Sequence, residues 1–302
     1  MTNVAPRVLV LLATYRGQAF LDQQIASILW QVGVEVHVLA RDDGSPDGTP
    51  DALAGWAARH PERTAIRQDA VRTGSASGNF LRLLAAAPLE RFDFVAFADQ
   101  DDVWFPDKLM RAVEAMRGAG ADGYSSDLLA YDEGARASWF LAKAGEDAEL
   151  DYLFQGASAG CTYVLSTQAA ATVRDVMASV DAAWPAGFSH DWTIYAICRS
   201  RGLTWVRDPR PGLLYRQHSA NDYGARAGLG GLIQRARASR DRWYRDHVSW
   251  LRHVVVSRPA EAAVFTAIDR GDRRWLARNA RRFRRLRRDQ RLLALSFLAG
   301  LF

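Results

Sequence analysis

Phe94-Val95-Ala96-Phe97-Ala98-Asp99-Gln100-Asp101-Asp102-Val103-Trp104 runs five apolar residues into three carboxylates within four positions. The apolar run predicts a strand buried on both faces, whose C-terminal end delivers an acidic cluster to a cleft. Carboxylates packed this closely repel one another unless a cation or hydrogen-bond donors stand among them. An exposed acidic turn capping the next helix is the plainer alternative, and the neighbouring segments choose between the two.

Upstream, Val8-Leu9-Val10-Leu11-Leu12-Ala13 is a second continuous apolar run, closed by the polar turn Thr14-Tyr15-Arg16-Gly17. Phe20, Leu21, Ile25, Ile28 and Leu29 recur at helical spacing, and Val36 to Ala40 reads as another strand. It ends at Arg41-Asp42-Asp43-Gly44-Ser45-Pro46-Asp47-Gly48-Thr49-Pro50, where two glycines and two prolines force turns, with Thr49 as N-cap and Pro50 as the first position of a helix through Arg59. Ile66 marks a weak third strand, and the glycine loop 72–79 leads into a helix starting near Asn79. This alternation predicts an α/β fold with a mostly parallel central sheet and flanking helices. In such a sheet, ligands sit beyond the C-terminal strand ends at the switch point, where Thr14-Tyr15, Asp42-Asp43 and Asp99-Gln100-Asp101 would meet. No G-x-G-x-x-G follows the first strand and no P-loop occurs, which argues against a nicotinamide site and favours a nucleotide held by carboxylates and a metal.

Downstream, a helix from Pro106 to about Arg117, a strand over Tyr124 to Tyr131, a strand over Gly160 to Leu165 and a helix from Gln168 to Met177 are expected. Gly187-Phe188-Ser189-His190-Asp191-Trp192 leads into a helix from Thr193 to Arg201, and short strands follow at 203–206 and 213–216. The chain of 302 residues is long enough for one large domain plus an appendage. Two cysteines exclude a disulfide framework or a cysteine-built zinc site. With no secretory pattern and no stretch of about 20 apolar residues, a cytoplasmic protein is expected, soluble or peripheral on the inner face of the membrane. Charge divides the chain: residues 226–302 hold 19 Arg and 6 acidic residues, a net +13, which leaves −8 on residues 1–225. A boundary is therefore placed near Ala227-Gly228-Leu229-Gly230-Gly231, between a domain of residues 1–225 and a basic helical region of residues 226–302.

Ala13-Thr14-Tyr15, Asp42-Asp43-Gly44-Ser45, Phe97 to Trp104, His190-Asp191-Trp192, and Tyr215-Arg216-Gln217-His218 followed by Asn221 stand in an order that resembles a family 2 inverting glycosyltransferase of GT-A fold, rhamnosyltransferase-like. The resemblance covers roughly residues 7–225 and implies transfer of a sugar from a nucleotide-sugar donor to a glycan or lipid-linked acceptor in bacterial surface polysaccharide synthesis. Rhamnose from dTDP-rhamnose is the first donor to test. The resemblance makes Asp191 the catalytic base and Asp101 a ligand of a divalent metal, Mn2+ or Mg2+, with His218 completing the site. Asp99 would hold the ribose, and Asp43 would accept from a pyrimidine framed by Thr14 and Tyr15, with Asn79 and Arg72 as further pocket candidates. Trp104 and Trp192 are candidates for stacking on sugar. Where relatives carry an acidic residue before the base, this chain has His190.

The basic region combines Arg281 to Arg288 with an uncharged run, Leu292 to Phe302, a composition suited to an anionic membrane surface. An Arg-rich helix pair packed on protein is the alternative. Nucleic acid is not an expected partner, since the sequence holds no recognition module. A non-catalytic binding module for nucleotide sugars or polyanions is the competing function, separable by the absence of metal-dependent turnover.

Overall fold

The computed structural model describes residues 4–218 and 243–302. Asn221 and the glycine-rich boundary at 227–231 lie outside the described residues. By contacts the chain divides into two units, one of Met1–Ala144, Ser158–Ala178 and Leu203–Asp222, the other of Gly145–Ala157, Ser179–Gly202 and Tyr223–Phe302.

The first unit is built on a seven-stranded sheet. β1 (Arg7–Thr14), β2 (Glu35–Asp42), β3 (Thr64–Ile66), β4 (Phe94–Ala98), β6 (Gly123–Ser126), β9 (Val164–Ser166) and β10 (Trp205–Asp208) lie in the order β10-β6-β9-β4-β1-β2-β3. Every pair is parallel except those of β9 with β4 and β6. All five residues of β4 are buried, as a continuous apolar run requires when both faces are covered. α1 (Leu21–Leu29), α2 (Thr49–Arg59), α3 (Ala76–Ala86), α4 (Lys108–Ala119) and α5 (Thr167–Ala178) connect the strands. A second, four-stranded sheet has the order β5-β11-β7-β8, from β5 (Val103–Trp104), β11 (Leu213–Gln217), β7 (Leu128–Asp132) and β8 (Ala137–Leu141).

Several local expectations shift for identifiable reasons. α3 begins three residues before Asn79 because the Ser75 hydroxyl accepts from the Gly78 N–H and caps the helix there. Thr49 does not cap α2 with its side chain; its hydroxyl donates to Asp47 Oδ1 at 2.6 Å and accepts from the Gly17 N–H at 2.9 Å. The single strand expected over 124–131 is two strands in two sheets. Between them, buried Asp127 accepts from the Lys143 and Ala144 N–H groups, each at 2.6 Å. Gly160–Thr162 forms a 3-10 turn before β9 starts.

The second unit holds α6 (His190–Ser200), α7 (Trp243–Trp250), α8 (Pro259–Asp269), α9 (Arg273–Phe283) and α10 (Arg287–Ala299). Phe154 stacks on Phe283 at 4.3 Å between ring centroids and meets Phe297 edge-on. The basic run divides within this unit. Arg282 pairs with Glu149 and Arg285 with the fully buried Asp151, whereas Arg281, Arg287 and Arg288 are exposed. Among the described residues no helix is long and apolar enough to cross a membrane.

Candidate active site

Strand register brings the polar ends together. Thr14 at the end of β1 pairs with Asp42 at the end of β2, and Leu12 pairs with Ala98, so β4 finishes beside β1 as its acidic turn begins. Successive strands step one way from β1 through β2 to β3, while β4 lies on the other side of β1, which makes the β1–β4 edge the switch point.

One residue ties the two turns together at that edge. The Gln100 side chain accepts from the Tyr15 N–H and donates to the Tyr15 carbonyl, both at 2.8 Å. Gly17 leaves room for this bridge, since a Cβ there would stand 2.2 Å from Gln100 Oε1. Gln24 of α1 donates to the Asp99 carbonyl at 2.7 Å and braces the turn from beneath.

Three carboxylates follow, in three environments. Asp102 is 1% exposed, and its Oδ1 accepts from the Arg216 N–H at 3.3 Å. Burial, then the charges of Asp101 and Asp99, push its carboxyl well above the usual range. Asp101 is accessible, and its Oδ2 lies 2.7 Å from His218 Nε2 beyond the end of β11. Arg216 holds the two strands in this relation. Its Nε donates to the Asp101 carbonyl at 2.9 Å, while Nη1 reaches Glu133 at 3.0 Å and Nη2 reaches Gln23 at 2.6 Å. Phe20 stacks on His218 at 4.7 Å and lies under the Arg216 guanidinium at 4.9 Å. A cavity of about 170 Å³ opens beside this clamp, lined by Gln23, Val103, Tyr131, Glu133, Leu214 and Arg216.

Two donor sets here deserve testing against a divalent cation. Among the described residues Asp99, Asp102 and Cys161 bring ligand atoms within 4.8 Å of one another. Burial pushes the Cys161 thiol and the Asp102 carboxyl up together, and a metal ligand must be deprotonated, so this buried set fits poorly. Asp101 and His218 fit better: both reach solvent, and their facing atoms stand 2.7 Å apart. Two ligands at right angles on one octahedral cation, each at about 2.1 Å, stand roughly 3 Å apart.

The β2 end forms the other wall. Asp42 closes its own turn, accepting from Gly44 N–H at 3.0 Å, Ser45 N–H at 2.7 Å and Thr14 Oγ1 at 3.0 Å. Gly44 has φ +81°, a conformation that a side chain would strain. Asp43 is 4% exposed, and both its oxygens already accept: Oδ1 from Arg41 Nη1 at 2.9 Å and Thr73 N–H at 2.7 Å, Oδ2 from Gly74 N–H at 2.8 Å. Burial pushes its carboxyl up, but the Thr73 N–H, the Arg41 guanidinium and the Gly74 N–H outweigh that and hold it below the ordinary value. Asn79 is likewise engaged internally, accepting from Arg41 at 2.8 Å and donating to the carbonyls of Arg41 and Thr14. Thr14 is 1% exposed. Tyr15 is the open member of the group: Arg72 Nη2 donates to its hydroxyl at 3.2 Å, and the Arg72 and Arg16 guanidiniums lie 5.5 and 5.3 Å from its ring centroid. A cationic lip around an exposed ring suits a base joined to a diphosphate.

Asp191 belongs to the second unit, in the first turn of α6. Ser189 is the N-cap, and Asp191 Oδ1 accepts from the Ser189 hydroxyl and from the Trp192 N–H at 2.7 Å. Two buried imidazoles feel its charge. Burial lowers His190 and lowers His247 to about 4, while the Asp191 carboxylate raises both. Trp192 is buried and donates from Nε1 to the Tyr152 carbonyl at 2.8 Å, and Trp104 is 2% exposed, so both tryptophans are core rather than sugar platforms. Sequence reasoning assigned no role to Gln100 or Arg41 and none to Arg216 beyond its place in a motif. The available signal was a charged residue closing an apolar strand, because a buried guanidinium requires partners.

The profile described as Glycosyl transferase family 2 matches residues 9–162. The chain is 31% identical over 244 residues to dTDP-rhamnosyl transferase RfbG of Shigella flexneri, spanning 81% of this chain and 84% of that protein. It is 40% identical over 113 residues to the succinoglycan biosynthesis protein ExoW of Rhizobium meliloti, covering 37% of this chain and 34% of ExoW. The solved structure of mannosyltransferase PcManGT from Pyrobaculum calidifontis in complex with GDP-Man and Mn2+ matches with a TM-score of 0.57 at 15% identity, over 99% of this chain and 75% of that one. S. aureus TarS in complex with UDP-GlcNAc matches at 0.58 and 13%, over 97% and 92%. At those identities the structures speak for the fold, while the profile and RfbG speak for descent; on both grounds this protein belongs to glycosyl transferase family 2 and has the GT-A fold.

Proposed function

We propose that this chain is an inverting, metal-assisted transferase that moves rhamnose from dTDP-rhamnose to a glycan or lipid-linked acceptor during bacterial surface polysaccharide synthesis. The observation that carries the metal-assisted reading is the 2.7 Å approach of His218 Nε2 to Asp101 Oδ2, an imidazole from the end of β11 and a carboxylate from the turn after β4 meeting at one accessible point. A bound Mn2+ or Mg2+ would neutralise the diphosphate leaving group. Asp101 and His218 would hold that cation, and Asp99 would steady the ribose. Tyr15 and Arg72 would flank the base and diphosphate, with Asp43, Asn79 and Thr14 shaping the pocket through Arg41 and the 72–74 loop. Asp191 takes the proton from the acceptor hydroxyl as its oxygen bonds to the anomeric carbon. The bond from that carbon to the diphosphate breaks, nucleoside diphosphate leaves, and the anomeric configuration inverts. The sequence likeness to RfbG supports the donor choice. The basic region of residues 226–302 contacts the anionic inner face of the membrane, where a lipid-linked acceptor would be met.

The test is transfer from dTDP-rhamnose, with and without Mn2+, by the wild type and by Asp191→Asn and His218→Ala. Asp191→Asn should lose about 10²- to 10⁴-fold in turnover while still binding dTDP. His218→Ala should weaken Mn2+ binding, measured by calorimetry in the presence of dTDP. Unaltered turnover in folded Asp191→Asn, or unaltered Mn2+ affinity in His218→Ala, refutes the corresponding role.

A further inference from the structure

The outer face of α10 takes no part in the chemistry above. Leu293 and Phe297 turn inward, and Phe297 meets Phe283 and Phe302 within its own unit. At about 100° per residue, Leu292, Leu295 and Leu298 fall on one strip of the opposite side, with Arg288 and Arg291 on the same strip. The three leucines are 56%, 62% and 55% exposed, and Leu301 just beyond the helix is 58% exposed. With Leu286, these make five of the thirteen exposed large hydrophobics among the described residues, gathered within sixteen positions, so the patch is not the ordinary scatter of apolar surface. The flanking surface is cationic. Arg273, Arg274, Arg278 and Arg281 of the adjoining α9 are exposed and form no ion pair among the described residues; nor do Arg287 and Arg291 of α10.

We propose that this strip of α10, rimmed by the arginines of α9, is the docking face for an anionic lipid surface. The proposal deepens the membrane contact named above and rests on it. Charge selects the occupant. A second copy laid on the same strip would bring a second set of these arginines into one interface, whereas anionic headgroups neutralise them while the leucines enter the acyl boundary. Three leucines on one short helix, with Leu301 just beyond it, also fall short of the roughly 800 Å² per partner that a stable dimer buries. The Arg282–Glu149 and Arg285–Asp151 pairs anchor the unit from within, while on the outer side, among the described residues, Arg288 meets only the neighbouring Asp289, at 3.4 Å.

The full chain is floated with vesicles of phosphatidylglycerol mixed with phosphatidylcholine, and with vesicles of phosphatidylcholine alone. Wild type should float with the anionic vesicles, less so at high salt. R288E/R291E should lower partitioning by roughly 30-fold or more, each arginine at the surface contributing about fivefold. L295E/L298E should abolish binding even at low salt. These positions face solvent, so circular dichroism should be unchanged, and hydrolysis of dTDP-rhamnose without vesicles, read in parallel, separates loss of docking from failure of the transferase assignment. Failure of the wild type to float, or flotation of either variant equal to that of the wild type, overturns the proposal. So does a dimer in sedimentation equilibrium that L295E/L298E dissociates, which would make a second copy the occupant.

Discussion

Arg41→Met should be among the most damaging single changes in the first unit. Its guanidinium is 1% exposed and forks onto Asp69, with Nε to Oδ2 at 3.1 Å and Nη2 to Oδ1 at 2.8 Å, while Nη1 reaches Asp43 at 2.9 Å and Asn79 at 2.8 Å. Nη2 also donates to the Val71 carbonyl. Methionine fills similar volume but leaves the buried Asp43 carboxylate without its cation, and removing one partner of a buried pair costs about 3–5 kcal/mol. The Thr73 and Gly74 N–H groups still reach Asp43, so the loss should stay within that range. At about 2–4 °C per kcal/mol for a unit of this size, a loss of about 4 kcal/mol lowers Tm by roughly 8–16 °C. The loss should depend on pH. Arg41 is the first cause holding Asp69 down to about 2, and it helps hold Asp43 low. Carboxyls with lower pKa folded than unfolded stabilise fully above the unfolded value, about 3.9, and lose that contribution as pH falls through the folded value. Wild type therefore sheds this stability between about pH 4 and pH 2, and the gap to Arg41→Met narrows over that window. Urea unfolding of both proteins at neutral pH and near pH 3 reads it. A loss under about 1 kcal/mol at neutral pH, as for an exposed ion pair, or a loss identical at both pH values, would refute the reasoning.

Lys108→Met should stabilise the protein. The amine is 1% exposed, lies 3.6 Å from the Trp104 ring centroid, has no hydrogen-bond acceptor among the described residues and is pushed by burial down to about 7. Between about pH 7 and 10.4 the unfolded chain holds this proton and the folded chain does not, so wild-type stability rises with pH across that window. The variant should gain about 1–3 kcal/mol near pH 6 and lose that slope, as urea titrations at several pH values would read; an unchanged slope excludes Lys108 as its source. Gln100→Ala removes two hydrogen bonds to Tyr15 and should lower kcat/KM for the nucleotide sugar about tenfold. Gly17→Ala should match it by displacing the same side chain. An effect of Gly17→Ala without one from Gln100→Ala would show that the bridge is not what matters.

Much was legible in the sequence because hydrophobic runs bounded by turns carry their own periodicity. β1, β2 and β4, the helices between them and the acidic turn after Phe94 to Ala98 all follow from local pattern, and the family resemblance followed from motifs at those strand ends. Local boundaries were less legible. Ser75 capped α3 earlier than the hydrophobic face indicated, and Asp127 turned one apparent strand into two by satisfying backbone N–H groups sixteen and seventeen residues away. Nothing in a strand of alternating residues announces that its neighbours will belong to different sheets.

The chemistry of the site was written in residue types, and its division of labour was not. The sequence alone sufficed to nominate three carboxylates after β4, a histidine after β11 and a pair of aspartates after β2. Tertiary structure decided that Asp102 is buried and pushed toward its neutral form, that Asp101 faces His218, and that Asp43 and Asn79 are engaged by Arg41. Those outcomes depend on burial and on partners 38 to 117 residues away in sequence, as from Arg41 to Asn79 and from Asp101 to His218. A carboxylate's charge state and free lone pairs are set by dielectric and by donors in space, and local sequence specifies neither.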